Sequence, residues 1–222
     1  FVRNMENQKR FITNASHELK TPIAIISANA EAMELINGKN EWTGNIIAQV
    51  KRLSLLINDL VLLSKIGETS AKDLTLVDTD LSEAVKGSAA GFRQMIEDAG
   101  KTLSVEAESG IHAKVEPRLF PEIVSILLDN AVKYCDEKGT ITVRLERNKK
   151  GVILSVSNPY QEGASEDYER FFERFYRGDT SHNSKRSGYG IGLAMARDMA
   201  RLMKGSLDVS YKDGFITFSL SL

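Results

Sequence analysis

The chain has 222 residues, of which 42% are hydrophobic and 27% charged, with a formal net charge of −1. This is the composition of an ordinary globular protein, and the near-zero charge argues against nucleic-acid binding. The single cysteine excludes an internal disulfide framework, and no apolar run is long enough to span a bilayer. Because the chain opens on Phe1 rather than Met, we expect it to be part of a longer protein.

The first third of the sequence predicts two helices joined by a turn at residues 37–40. In the second helix, apolar residues alternate at spacings of four and three, as in a heptad seam: Ile46, Val50, Leu53, Ile57 and Leu60. Further apolar residues widen this seam into a face that needs cover on two sides: Ile47, Leu56 and Leu63. Two hairpins packed as a four-helix bundle can bury such a face, so we expect a homodimer through residues 1–67.

A small, polar linker follows, and the pattern then changes to mixed helices and strands. The predicted domains are the helical hairpin at 1–68, the linker at 69–74 and a second domain at 75–222. In that domain we predict helices at 81–99, 117–134 and 191–203, and strands at 103–105, 112–115, 140–146, 152–157, 206–211 and 215–220. Because these elements alternate without a strict βαβ order, we predict an α+β sandwich.

The first helix contains a seven-residue motif, Ser16-His17-Glu18-Leu19-Lys20-Thr21-Pro22. His17 and Thr21 share a helix face, and Glu18 follows the histidine directly. A neutral imidazole is a competent nucleophile near neutral pH, and an adjacent carboxylate can hold the proton of the other ring nitrogen. An isolated helical histidine is usually structural or solvated, but this combination indicates one that receives and loses a phosphoryl group.

Two motifs of the second domain suit metal and phosphate binding. Asn130 and Lys133 lie one turn apart on a predicted helix, where an amide oxygen can bind Mg²⁺ and a cation can neutralise phosphate. Another helix opens with Gly188-Tyr189-Gly190-Ile191-Gly192-Leu193, where glycines let backbone N–H groups approach phosphate. Taken alone, a pair like the first motif is more often an exposed polar face, and the second motif is a weak signal because glycine-rich turns are common.

The polar connection at 158–189 contains an aromatic cluster, Phe171-Phe172-Glu173-Arg174-Phe175-Tyr176-Arg177. Its rings can anchor a segment onto the domain while Arg177 reaches phosphate, although a small satellite core with a solvated arginine is a competing interpretation. Asn158, at the end of a predicted strand, offers an amide that could accept from a purine amine. Because Asn-Pro is a common turn starter, the residues alone favour a plain turn there.

The four motifs, in this order, resemble those of the cytoplasmic core of bacterial two-component sensor histidine kinases. Residues 16–22 are similar to the family's H box, 130–134 to its N box, 171–177 to its F box and 188–193 to its second glycine box. The resemblance implies a dimerisation and histidine phosphotransfer hairpin, followed by an ATP-binding domain with the Bergerat α/β sandwich.

The resemblance also implies a role for each motif residue. His17 would accept the phosphoryl group of ATP, Glu18 would assist as base, and Thr21 would position water when the protein dephosphorylates its partner. Asn130 would bind Mg²⁺, and the nucleotide site would comprise Asn130, Lys133, Tyr134, Asn158, Arg177, Gly188, Gly190, Gly192 and Leu193. The implied partner is the receiver domain of a response regulator, with no nucleic acid involved. An upstream membrane sensor segment would place this part on the cytoplasmic side of the inner or plasma membrane.

The sequence departs from the family in three places. Asn158 stands where the first glycine box usually has an aspartate that binds the adenine amine, and a neutral acceptor gives a weaker bond. Pro159 and Tyr160 occupy the turn where that box has glycine, and Ile126 replaces an earlier asparagine of the N box. One alternative is therefore a module of the same fold that binds ATP weakly and acts mainly as a phosphatase or scaffold.

An ATPase clamp of the Hsp90, gyrase or MutL type is a second alternative, from another functional class. These proteins share the Bergerat fold but lack a His-Glu-x-x-Thr-Pro hairpin. Residues 16–22 therefore disfavour this interpretation.

Overall fold

The computed structural model describes residues 2–68, 74–149, 151–165, 167–176 and 189–222, without the side chains of residues 2–18, 63, 65, 67, 68, 164 and 165. The chain divides into two compact units, Phe1–Glu68 and Thr69–Leu222. The predicted fold class, a helical hairpin followed by a mixed α/β domain, is confirmed. None of the described helices combines the length and apolar character needed to cross a membrane.

The first unit is a hairpin of α1 (Val2–Asn37) and α2 (Glu41–Glu68). Gly38 follows α1 with φ +79°, a left-handed conformation that ends helices readily. Asn40 caps α2, because its Oδ1 accepts a hydrogen bond from the backbone N–H of Thr43 at 3.0 Å. The Thr43 hydroxyl also donates to Glu34 Oε1 at 3.0 Å, which ties the second helix back to the first.

Two apolar seams run along this hairpin, each built from residues seven positions apart. One seam is buried between the two helices and contains Ile23, Ala30, Val50 and Ile57. In the other seam the side chains are 42–51% exposed: Leu19, Ile26, Met33, Ile46 and Leu53. The predicted α2 seam is thus split between the two, and one hairpin covers only one of them.

The second unit contains a five-stranded sheet in the order β2-β4-β5-β7-β6 and a separate antiparallel pair of β1 with β3. In the larger sheet β2 and β4 are parallel and the other neighbours are antiparallel. The strands are β1 (Val77–Asp80), β2 (Thr102–Ala107), β3 (His112–Val115), β4 (Thr140–Asn148), β5 (Gly151–Pro159), β6 (Ser206–Lys212) and β7 (Phe215–Ser221). Strand β1 is an addition to the predicted elements.

Three of the helices in this unit, α3 (Leu81–Asp98), α4 (Leu119–Tyr134) and α5 (Gly192–Leu202), pack against one another in sequence and onto the sheet. The sheet contributes alternate residues to the core, as a half-buried sheet does: Ile141, Val143, Leu145, Leu154, Phe218 and Leu220. The helices contribute Leu81, Ile96, Phe120, Leu127 and Met199. Two short 3₁₀ helices, Gln161–Ser165 and Tyr168–Phe172, lie between β5 and α5.

Candidate functional site

The candidate phosphoacceptor lies in the hairpin. His17 and Glu18 belong to the uninterrupted helix α1, and their side chains lie outside the described residues. Thr21 is exposed one turn further on. A groove of about 780 Å³ between α1 and α2 begins at Lys20 and is lined by Ile23, Ser27, Lys51, Ser54 and Asn58 among others. The hairpin therefore presents a partly apolar groove within one helical turn of His17.

Helix α4 carries the N-box residues. Lys133 Nζ is 2.5 Å from Asp129 Oδ2, an ion pair between residues four apart on the helix. Because this partner lies within the helix, a phosphate contact by Lys133 stays a prediction, as do the roles of Asn130 and Tyr134. The Tyr134 ring packs edge-on against Tyr160, with centroids 5.9 Å apart, so α4 meets the segment after β5 at this point.

The glycine box opens α5 against α4. A Cβ on Gly192 would lie 3.3 Å from Ile126 Cγ2. The start of α5 therefore packs against α4 at Ile126, which lies one helical turn before Asn130. Ile191, at the N-cap position, has no polar side-chain atom with which to cap the helix. The first N–H groups of α5 therefore keep the capacity to bind an anion. Leu193, the next predicted site residue, is half-buried on the first turn.

Gly190 is hydrogen-bonded to the described end of the F box. Its carbonyl accepts from the Phe175 N–H at 2.8 Å, and its φ is +69°. A Cβ at this position would lie 2.3 Å from the Tyr176 carbonyl oxygen, so only glycine fits. The predicted site residues Arg177 and Gly188 lie outside the described residues.

Phe172 anchors the described part of the F box to the sheet, which is one of the two interpretations that the sequence left open for this aromatic cluster. Its buried ring packs edge-on against Phe218 of the sheet, with centroids 6.4 Å apart. Arg197 of α5 donates to the Phe172 carbonyl at 3.2 Å and places its guanidinium 4.7 Å from the ring centroid. Burial lowers the pKa of Arg197, the nearby Arg201 adds to the effect and Asp198 opposes it. Arg197 thus links α5 to the F box.

Asn158 lies at the end of β5, and only 1% of its surface is exposed. Its Nδ2 donates to the Pro159 carbonyl at 3.0 Å. Its Oδ1 is buried and has no hydrogen-bond partner among the residues that the structure describes. A buried acceptor without a donor is costly, so this oxygen is a candidate acceptor for a bound ligand.

Two residues that bear on this region, Asp136 and Gly139, were missed by the sequence analysis. The Asp136 N–H donates to the Pro159 carbonyl at 3.0 Å, which joins the end of α4 to the end of β5. A Cβ on Gly139 would lie 2.6 Å from Pro159 Cγ. The only signal in the sequence was an acid and a glycine just after the N-box helix, which is too common a pattern to interpret.

Comparison with known proteins decides the family. Residues 7–69 match the family described as His Kinase A (phospho-acceptor) domain, and residues 115–222 match the Histidine kinase-, DNA gyrase B-, and HSP90-like ATPase family. The chain belongs to the sensor histidine kinases. It is 31% identical over 91% of its length to the sensor protein DltS of Streptococcus agalactiae, and 32% identical over 93% to the sensor histidine kinase RppB of Synechocystis.

This histidine kinase chain covers 51% and 47% of those two relatives, or about half of each. Among solved structures, the histidine kinase AdeS of Acinetobacter baumannii aligns with a TM-score of 0.66 at 21% identity, over 93% of this chain and 96% of that one. Full-length ShkA, solved in complex with AMPPNP, aligns with a TM-score of 0.75 at 21% identity, over 95% of this chain and 45% of that one. At these identities the likeness supports the fold.

Proposed function

We propose that this chain autophosphorylates His17 from ATP and transfers the phosphoryl group to an aspartate on the receiver domain of a response regulator. The observation that carries the proposal is the presence of a phospho-acceptor domain match and an ATPase domain match in one chain, at residues 7–69 and 115–222. An ATPase clamp has no use for the first of these, whereas a histidine kinase requires both.

The described residues of the second domain fit a nucleotide. Asn158 Oδ1, which is buried and has no hydrogen-bond partner within the described ranges, is a suitable acceptor for the exocyclic amine of adenine. The start of α5, with Gly190 and Gly192, offers backbone N–H groups and the positive end of a helix dipole to the phosphates. Tyr134 and Leu193 would line the pocket, and Lys133, Arg177 and Gly188 would complete the phosphate contacts.

A Mg²⁺ ion would neutralise phosphate charge in this site, and Asn130 is the residue that we propose to hold it. No group of three or more His, Cys, Asp or Glu side chains among the described residues could hold a metal ion. Mg²⁺ commonly binds through one or two protein oxygens together with substrate phosphates and water, so a single amide oxygen suits that mode.

In the hairpin, a ring nitrogen of His17 would attack the γ-phosphorus as the bond to ADP breaks. Glu18 would hold the proton of the other ring nitrogen and so fix the reactive tautomer. Phosphoryl transfer needs positioning and charge neutralisation more than covalent help, so these two side chains suffice at the acceptor. Thr21, which is exposed, would orient the water that hydrolyses the phosphorylated regulator.

The groove beside Lys20 is the surface that we propose for the response regulator. Its exposed apolar lining at Leu55, Ala24 and Ala28 can receive a helix. Lys20 and Lys51 would favour an aspartate-bearing partner. The exposed seam of Leu19, Ile26, Met33, Ile46 and Leu53 supports a homodimer through residues 1–67, because a second hairpin would cover it. The relatives are named as sensors, so we propose that this part lies on the cytoplasmic side of a membrane receptor.

A phosphatase-biased module that binds ATP weakly is a second candidate, and one observation favours it. Tyr160 is buried at 3% exposure where the family turn has glycine, so the turn is filled by a large ring. Measured ATP affinity separates the two candidates, since the kinase requires binding at cellular ATP concentrations and the phosphatase does not.

Incubation of the chain with Mg²⁺ and γ-labelled ATP tests the proposal. We expect acid-labile, base-stable label on the wild type and none on His17→Gln. Label that persists on His17→Gln would refute the assigned acceptor. A folded dimer without label would favour the phosphatase-biased module.

A further inference from the structure

The turn after β5 is held by a network centred on Asp136. The backbone N–H of Asp136 donates to the Pro159 carbonyl, and its Oδ2 accepts from the N–H of Gln161, each at 3.0 Å. The Asp136 carbonyl accepts in turn from the Gly139 N–H at 3.1 Å. One residue, directly beyond α4, therefore fixes the turn that follows Asn158 on both sides of Tyr160.

Packing around this network leaves the turn little freedom. A Cβ on Gly139 would lie 2.5 Å from Cys135 Sγ and 2.6 Å from Pro159 Cγ, so the proline ring occupies the space that a side chain would need. The Tyr160 N–H donates to the Gly214 carbonyl at 2.8 Å. These contacts hold the backbone of the turn at Pro159 and Tyr160.

The network determines how Asn158 presents its amide. The Pro159 carbonyl accepts from both the Asp136 N–H and Asn158 Nδ2, each at 3.0 Å. The amino side of the Asn158 amide is therefore bound, and its buried Oδ1 is left as an acceptor. Because a carbonyl held in place can orient an amide, the position of Pro159 sets the direction of Asn158 Oδ1.

We propose that Asp136 is a positioning residue for nucleobase selection. Acting through the turn at 159–161, it holds Asn158 so that Oδ1 accepts from the exocyclic amine of adenine. A base with a carbonyl oxygen at that place would set two acceptors against each other, so ATP is favoured over inosine triphosphate. This inference rests on the proposed function, because it requires that the site bind ATP.

The test measures dissociation constants of ATP, inosine triphosphate and inorganic triphosphate on the full chain. The wild type prefers ATP. Asp136→Leu removes the acceptor and lowers the ATP-to-inosine triphosphate preference by about threefold to tenfold, with triphosphate affinity unchanged. Asp136→Asn keeps an oxygen acceptor and retains most of the preference. Glu137→Gln, at the exposed neighbouring acid, is the matched control and leaves all three constants unchanged.

If Asp136 had only a structural role, Asp136→Leu would weaken the binding of all three ligands together and leave the preference for ATP over inosine triphosphate intact. That result would overturn the inference. Gln161→Pro provides a second variant, because it deletes the N–H that Asp136 accepts and leaves the carboxylate in place. An unchanged preference in folded Gln161→Pro also overturns it. If the wild type binds no ATP, the proposed function fails together with this inference. If the wild type binds ATP and both variants keep its preference for ATP over inosine triphosphate, only the inference fails.

Discussion

The helical hairpin exposes an apolar seam, whereas the second domain closes its core within one chain. In the hairpin, Ile26 and Met33 repeat the spacing of the buried Ile23 and Ala30 and yet lie on the surface. In the domain, residues such as Phe120, Leu127 and Leu154 are fully buried between the helices and the sheet. The hairpin thus leaves an apolar surface that we propose a second copy covers, whereas the domain buries its apolar residues within one chain.

This difference assigns separate tasks to the two regions. If a second chain covers the seam, as we propose, the seam contacts form between chains and can respond to changes in helix packing. The domain can keep its nucleotide site preorganised, because its core is formed within one chain. Variants in the hairpin should therefore leave ATP binding by the domain unchanged, and variants in the domain should leave the proposed dimer unchanged.

The largest effect is expected from a charge in the exposed seam. Ile26→Asp would place two carboxylates in the dimer interface and raise the dimer dissociation constant by about 100-fold or more. Sedimentation velocity measures this change. Leu35→Asp, at an exposed residue that does not share the seven-residue spacing, is the matched control and should leave the dimer intact. Equal dissociation in both variants would contradict the assignment of the seam.

Asn158→Asp restores the residue that the family usually has, and we expect it to destabilise this domain. A carboxylate cannot donate to the Pro159 carbonyl, so the free energy of unfolding should fall by about 2–4 kcal/mol at neutral pH. Burial would raise the folded-state pKa of the new aspartate above its unfolded value of about 3.9. The loss is therefore absent below that pH and grows as pH rises above it.

The control for this variant is the same change from asparagine to aspartate at a position where the side chain only has to accept a hydrogen bond. Asn40 Oδ1 caps α2 by accepting from the Thr43 N–H at 3.0 Å, and aspartate caps helices as well as asparagine does, so Asn40→Asp should be near neutral. Urea unfolding across pH 4–8 compares the two variants. A stable Asn158→Asp variant would show that the Pro159 carbonyl does not require a donor from residue 158.

Gly190→Ala should destabilise the base of the F-box segment and weaken ATP binding. The alanine would be forced into a left-handed conformation, with its Cβ 2.3 Å from the Tyr176 carbonyl oxygen. Gly100→Ala has the same φ of +69° with no described atom within 4 Å, so it reports the conformational cost alone. We expect Gly190→Ala to cost about 1–2 kcal/mol more than Gly100→Ala in thermal unfolding, and only Gly190→Ala to reduce ATP affinity.

The smallest expected effect is a gain in stability at exposed helical glycines. Gly87 in α3 and Gly44 in α2 each have no described atom within 4 Å of an added Cβ. Each change to alanine should stabilise its own helix by about 0.5–1 kcal/mol. In calorimetry, Gly87→Ala should raise only the unfolding temperature of the domain, and Gly44→Ala only that of the hairpin. A shift of one common transition would show that the two regions unfold together.

The sequence predicted the elements with strong periodicity and missed those held by distant contacts. The helices and the long strands follow from apolar spacing, and their bounds agree closely with the structure. Strand β1 reads Val-Asp-Thr-Asp and has no apolar alternation, so only its pairing with β3 reveals it. Helix α4 begins at Leu119 rather than at Pro117 because Glu116 Oε2 accepts from the N–H groups of Arg118 and Leu119.

The candidate site divides in the same way. Motif spacing predicted Asn130, Gly190, Gly192 and Leu193 as site residues, and the structure packs α4 and α5 together at Gly192. Asn158 was predicted from its position at the end of a strand, but its burial and the lack of a partner for its Oδ1 in the described part of the chain depend on the fold. Asp136 reaches Gln161 across 25 residues of sequence, so no local pattern could reveal that contact.

The most direct test of the account separates the acceptor from the nucleotide site. ATP binding and γ-phosphate labelling are measured on the wild type, His17→Gln and Asn130→Ala, with the dimer monitored in each. We predict that His17→Gln binds ATP like the wild type but takes no label, and that Asn130→Ala remains dimeric but loses Mg²⁺-dependent ATP binding and label together. Labelling of His17→Gln, or loss of its ATP binding, would contradict the division of work between the two regions.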